Sequence, residues 1–161
     1  VLHSYEILDT DPEFDFDELT SLAQRTFEVT NAFVSLIDDD RQWFKSSVMP
    51  LPKEVSREVS ICSHTILTQE LLIVEDILDD ERFHDNPLLL QVGVRFYAGA
   101  PLISSTGEVL GAFCIVDTKP HKMSSLQKVL LKTLAKQTVA EMETRRNRRR
   151  LDCITKEFVV K

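Results

Sequence analysis

The chain of 161 residues is 43% apolar, enough for one core and too short for a second sizeable domain. No window approaches the roughly 20 apolar residues of a membrane helix, and the first residues lack the basic and apolar regions of a secretory signal, so a soluble, cytoplasmic domain without membrane contact is expected. The net charge of −7 includes Arg145, Arg146, Arg148, Arg149 and Arg150, so the body is more acidic still, which argues against nucleic acid as a partner, while Cys62, Cys114 and Cys153 form no Cys-x-x-Cys pair, which argues against a disulfide framework or a structural zinc site.

Residues 13–27 place Phe14, Leu19, Leu22, Ala23 and Phe27 on one predicted helical stripe, behind a Pro12 whose φ suits a first turn. Residues 32–37 are apolar in succession and 41–46 alternate, which predicts a hairpin turned at Asp38-Asp39-Asp40. Residues 61–67 read as a helical turn or two and 71–74 as a strand. The Asp-rich segment 75–93 is long for a connection, and Phe83, Leu88, Leu89 and Leu90 favour an ordered lid over a pocket. Residues 94–103 and 109–116 predict a second hairpin, turned at 104–107. Strands 32–37 and 109–116 are apolar on both faces, so the sheet should be covered on both sides.

Ser124 is a plausible N-cap for a long terminal helix. Leu126, Val129, Leu130 and Ala140 form one apolar arc of it, and Leu131, Ala135, Val139 and Met142 the opposite one. One sheet covers only one arc, so a homodimer through this helix is expected. The arc Leu131, Ala135, Val139 and Met142 is assigned to that contact, with Leu151, Ile154 and Phe158 continuing at coiled-coil spacing. The arginine run reads first as a solvated helix end, ahead of a nucleic-acid contact or a linker register device. With no initial Met and no stop-like punctuation at Val159-Val160-Lys161, the chain is read as a piece of a longer protein.

Candidate chemistry is sparse. Cys62 and His64 pair a thiol with an imidazole, but on a helix they diverge and no third group orients the ring. Cys62 and Cys114 are either brought together across the sheet, which is a redox reading, or inert core. Arg82 and Arg95 lie among Asp76, Asp79, Asp80, Glu81 and Asp85; they either clamp an anion or neutralise these neighbours. Trp43, Phe44, Phe96 and Tyr97 either line an apolar pocket or fill core. Asp80, His84 and Asp85 match neither a calcium loop nor a zinc pattern, so no metal is expected.

Six segments in register, from about residue 7 to 140, resemble the GAF domains of bacterial histidine kinases and diguanylate cyclases. They are Ile7-Leu8-Asp9-Thr10, Arg41-Gln42-Trp43-Phe44-Lys45-Ser46, Cys62-Ser63-His64, Asp80-Glu81-Arg82-Phe83 with Asn86-Pro87, the run from Arg95 to Leu102, and Leu110-Gly111 with Asp117. The resemblance implies an α+β class and the GAF (profilin-like) fold: a central antiparallel sheet with terminal helices on one face and pocket and lid segments on the other. It implies a GAF sensor domain over 1–143 and a basic helical linker over 144–161, leading to an output domain of the histidine kinase or diguanylate cyclase type.

A non-catalytic regulatory role follows, in which an unknown small molecule or a redox change is sensed. The ligand site is drawn from Cys62, His64, Asp76, Arg82, Phe83, Arg95, Tyr97 and Cys114, with no cofactor assigned. The alternatives are an enzyme like the free methionine sulfoxide reductases and a purely dimerising domain with a plugged pocket. The chain departs from the pattern at Ile61-Cys62-Ser63-His64, where Phe-Cys-Ala-His is usual, and it lacks both the phytochrome-type chromophore pattern and the Asn-Lys-Phe-Asp-Glu signature of nucleotide-binding members.

Overall fold

A computed structural model describes residues 2–160, and the side chains there apart from those of Val59 and residues 157–160; Phe158 of the expected coiled-coil seam lies outside these. The first helix, α1 (Phe14–Phe27), leads into a hairpin of β1 (Asn31–Ile37) and β2 (Arg41–Ser47), then β3 (Glu54–Ser56), the one-turn α2 (Cys62–Thr65), β4 (Leu72–Val74) and α3 (Pro87–Val92). A second hairpin, β5 (Phe96–Ile103) and β6 (Val109–Asp117), is followed by α4 (Ser125–Val160). Among the described residues six strands make one antiparallel sheet, in the order β3-β2-β1-β6-β5-β4. No helix among them is long and apolar enough to cross a membrane.

The two apolar runs lie side by side at the centre, paired from Asn31 opposite Val116 to Leu36 opposite Gly111. Because side chains alternate along a strand, each run feeds two cores. Val34 and Leu36 of β1, Phe113 and Ile115 of β6, and Phe96, Ala98, Ala100 and Leu102 of β5 pack against α1 and α4. Phe33, Ile37, Ala112, Cys114 and Tyr97 point the other way, under Ile61, Cys62, Ile77, Phe83 and Leu89.

Three sequence expectations are corrected. In α1 the buried stripe is Phe16, Thr20, Ala23 and Phe27, while Phe14 and Leu22 are exposed. Thr20 can face inward because its hydroxyl bonds Asp17 O at 3.1 Å and the Ser46 hydroxyl at 2.9 Å.

In α4 the arc assigned to the dimer is the one that covers the chain's own sheet: Leu131, Ala135, Val139 and Met142 are buried in the core. Leu134 and Thr138 broaden this arc to a full helical face, with the Thr138 hydroxyl satisfied by Leu134 O at 2.8 Å. The outward arc carries Leu126, 77% exposed, with Val129, Ala140, Leu151 and Ile154.

The arginine run, third, is only partly solvated. Arg145 is buried; its Nε donates to the Glu13 carboxylate at 2.8 and 3.1 Å and its guanidinium to the carbonyls of Tyr5 (3.2 Å) and Glu6 (3.0 Å). Arg146 stacks 4.2 Å from the Tyr5 ring centre. Lys45 of β2 reaches the same Glu13 from beneath, and its ammonium also donates to Thr10 Oγ1 and Asp11 O, both at 2.7 Å. A charged clasp thus ties the N-terminal segment to α4, which runs unbroken past residue 143.

Asp117 closes the base of β6. Its carboxylate accepts from Thr30 Oγ1 (2.5 Å), Thr118 N (2.7 Å) and the His121 ring. Burial pushes this carboxyl up, but the hydrogen bonds outweigh that effect and hold it below its ordinary value. A group with a depressed folded pKa stabilises at pH above its unfolded value and loses that contribution as pH falls through the folded one. Asp117→Asn is therefore expected to lower the urea midpoint at pH 7, and the gap to the parent to close below about pH 4.

Candidate functional site

The lid contains a helix because Asn86 caps it: its side-chain oxygen accepts from Leu88 N (3.0 Å) and Leu89 N (3.3 Å), Pro87 suits the first turn, and Gly93 at φ 75° ends it. Asn, Pro and Gly at these spacings were the signal for α3 within the segment read as a loop. α3 roofs a cavity of about 310 Å³ with Leu88, Leu89 and Val92. Phe33, Phe44 and Val116 form its floor, and Leu51, Pro52, Ile61 and Cys62 its sides. Its polar lining is Asn31, Gln42 and, on α3, Gln91. Asn31 is engaged with Ser47 Oγ (3.0 Å) and Met49 N (2.9 Å), and the Gln42 amide oxygen accepts from Ser60 Oγ. No charged side chain lines this space. A wider hollow bordered by Asp76, Asp79, Asp80 and His121 is acidic and open to solvent.

Cys62 of the cavity wall continues inward to a sulfur cluster. Its Sγ lies 3.4 Å from Cys114 Sγ, and both thiols are free and buried. The Tyr97 hydroxyl donates to Cys62 Sγ at 3.3 Å and stands 3.2 Å from Cys114 Sγ and 2.8 Å from Thr65 Oγ1. Gly99 makes room for it, since a Cβ there would collide with the Tyr97 hydroxyl. Ser35 Oγ, fully buried beside the two sulfurs, makes no hydrogen bond of ordinary geometry, though its hydroxyl still acts on both thiols. Burial pushes the Cys62 thiol up, but the polar groups around it, Cys114 first and then Ser35, Tyr97 and Gln42, bring it below the ordinary thiol value. Burial together with its neighbour Cys62 drives Cys114 the other way, well above it.

Of the sequence candidates, the structure brings together Cys62, Tyr97 and Cys114, with Phe83 in the same core. It does not bring in the others. His64 turns outward on α2, its ring edge-on to Phe83 at 4.8 Å, beside Asp39, Asp40 and Arg57. Arg95 is held two-pronged by Asp76 at 2.7 and 2.8 Å, and Arg82 by Asp80 at 3.0 and 3.2 Å, so both arginines neutralise the lid's own carboxylates. Trp43 and Phe96 belong to the helix-side core, while Phe44 lines the cavity. Phe33, Gln42, Leu89 and Val116 are cavity residues that pattern reading left as ordinary strand and lid positions.

Comparison with known proteins places this arrangement. Residues 11–142 match the model of the GAF domain. A cyclic di-GMP phosphodiesterase of Pseudomonas aeruginosa is 32% identical over 139 residues, which is 85% of this chain and 24% of that protein, so the chain spans about a quarter of this relative's length. Among solved structures, a free methionine-R-sulfoxide reductase from Neisseria meningitidis superposes with a TM-score of 0.69 at 15% identity, covering 91% of this chain and 89% of that one. The GAF domain of an Acinetobacter phosphoenolpyruvate-protein phosphotransferase gives 0.67 at 16% identity, covering 88% and 89%. At such identities these structures establish the shared fold. With the sheet covered on both faces, the α3-roofed cavity, the family match over most of the chain and a 32% identical relative all in agreement, this chain belongs to the GAF domain family.

Proposed function

We propose that this GAF domain is a non-catalytic, cytoplasmic input module that takes a small, uncharged, largely apolar molecule into the cavity beneath α3 and passes its occupancy to an output domain through α4. The observation that carries this reading is the cavity itself, lined mostly by apolar side chains, open at one side, and of a size near the lower end of ligand sites. Its uncharged lining also weighs against the enzyme alternative, since a free methionine sulfoxide presents an ammonium and a carboxylate that would be left without partners. We assign the output to a signalling domain of the kind with which the resembling bacterial GAF domains are joined, histidine kinase or diguanylate cyclase; the similarity to a cyclic di-GMP phosphodiesterase favours cyclic di-GMP turnover.

The subunit contact is assigned to the outward face of α4. Leu126, Leu130, Thr133, Gln137, Ala140, Thr144, Asn147, Leu151 and Ile154 follow one another at alternating four- and three-residue spacing, which is a coiled-coil seam. The test is a native mass spectrum of the purified chain beside its Leu89→Trp variant, whose indole would fill the cavity. The expected result is a dimer in both, with a retained low-polarity compound in the parent and none in the variant. A bare monomer overturns the dimer seam, and a compound retained equally by the variant overturns the cavity as its site.

A further inference from the structure

Two buried thiols in contact, beside an apolar cavity and a poorly satisfied hydroxyl, are unusual in a core. An ordinary buried cysteine serves as a small apolar side chain, with no polar groups gathered around its sulfur. Here Tyr97 reaches up beneath Gly99 to place its hydroxyl against both sulfurs, and Ser35 buries beside them a hydroxyl that makes no hydrogen bond of ordinary geometry. A buried hydroxyl without a well-formed hydrogen bond is costly, and an added oxygen atom on sulfur would give it one.

We infer that Cys62 and Cys114 are a hydroperoxide-driven thiol–disulfide pair, reached by an organic hydroperoxide through the cavity beneath α3. The inference deepens the sensory reading by naming a class of input, and it rests on that reading for the cavity's role as the way in. Cys62 is the residue attacked because it lines the cavity, whereas Cys114 lies behind it on β6. The depressed Cys62 thiol and the raised Cys114 thiol agree with that order.

The Cys62 sulfur attacks the terminal peroxide oxygen. The S–O bond forms, the O–O bond breaks, and the leaving alkoxide takes the thiol proton and departs as an alcohol, leaving Cys62 as a sulfenic acid. The Cys114 sulfur, 3.4 Å away, then attacks the Cys62 sulfur. The S–S bond forms, the S–O bond breaks, and the hydroxide takes the Cys114 proton and leaves as water. The two sulfurs together lose two electrons and the hydroperoxide gains them. The product bridges α2 to β6 and draws α2 toward the sheet, so the wall of the cavity and the lid above it must adjust.

The test uses the full chain with its exposed third thiol removed, Cys153→Ser. The reduced protein is treated with cumene hydroperoxide or with hydrogen peroxide, then denatured in an alkylating agent, digested and weighed. The expected product is a linked peptide pair joining Cys62 to Cys114, formed faster with cumene hydroperoxide and reversed by dithiothreitol. With Cys114→Ala added, Cys62 is expected to be trapped as a sulfenic acid by a cyclic 1,3-diketone. Equal rates with the two oxidants would assign the site to hydroperoxides at large and overturn the selective role of the cavity. Full alkylation of both cysteines after either oxidant overturns the pair. If the native mass spectrum still shows a retained compound in that case, the sensory reading stands without this one.

Discussion

Gly111→Ala is expected to leave little folded protein. Gly111 sits in β6, the strand flanked by β1 and β5, opposite Leu36 on one side and Leu102 on the other. A Cβ there would overlap the Ser35 carbonyl oxygen and lie 2.8 Å from Leu36 Cα, both backbone atoms of β1. Backbone cannot rotate aside as a side chain can, so the two central strands would have to part where their cores on both faces are closest. A cost on the order of 4 kcal/mol follows, a large fraction of the roughly 5–15 kcal/mol that holds a domain of this kind. Gly107→Ala is the useful contrast. It faces open space with φ of 91°, and its cost is left-handed strain alone, about 1 kcal/mol. Soluble yield and thermal melting of the two variants check this; a Gly111→Ala protein melting like Gly107→Ala would refute the steric argument.

The second large effect is expected at the clasp. Glu13→Gln removes the carboxylate shared by Lys45 and Arg145, and the Lys45 side chain is 0% exposed. Breaking a buried pair from one side costs roughly 3–5 kcal/mol, because the remaining charge has no water to turn to. The loss should depend on pH, with a sign that identifies its source. Burial already holds the Lys45 ammonium below its ordinary value, with Glu13 opposing that effect; without Glu13 it falls further. Between that lowered value and the ordinary lysine value near 10, the unfolded chain binds more protons than the folded one, so stability rises with pH across the interval. The deficit of Glu13→Gln against the parent should therefore shrink between pH 7 and pH 9 in urea titrations. Adding Lys45→Met should recover part of it at pH 7. A deficit flat in pH would place the loss at Arg145 instead.

The strands and the two-sided sheet were legible because β1 and β6 are apolar on successive residues, a pattern with few other solutions. The contact between Cys62 and Cys114 was visible only as one of several options, since it depends on how α2 sits over β6. Helix faces were harder. In α1, Thr20 counted as polar and Phe14 as apolar, yet a pair of hydroxyl bonds lets Thr20 turn inward and leaves Phe14 outside. In α4 both arcs were identified, but which one meets the sheet was decided by Leu134 and Thr138, the second of which reads as polar until its bond to the helix backbone is seen. The lid arginines were legible as charge neutralisers because carboxylates surround them in sequence. Arg145 was not, because its partner Glu13 is 132 residues away and no local pattern connects the two.

α4 has 36 residues, about 54 Å of rigid rod at 1.5 Å per residue, and the clasp at Arg145 grips it a little beyond its middle. The portion ahead of that grip lies on the sheet, and roughly 20 Å extends past it. Mechanically this is a lever with its fulcrum at Glu13 and Lys45. A tilt of about 10° at the sheet, well within the adjustment of packed helices, would swing the far tip by roughly 4 Å. In the proposed relay, the same ion cluster that stabilises the fold would set the mechanical gain, and loosening it is expected to blunt the stroke before it unfolds the chain.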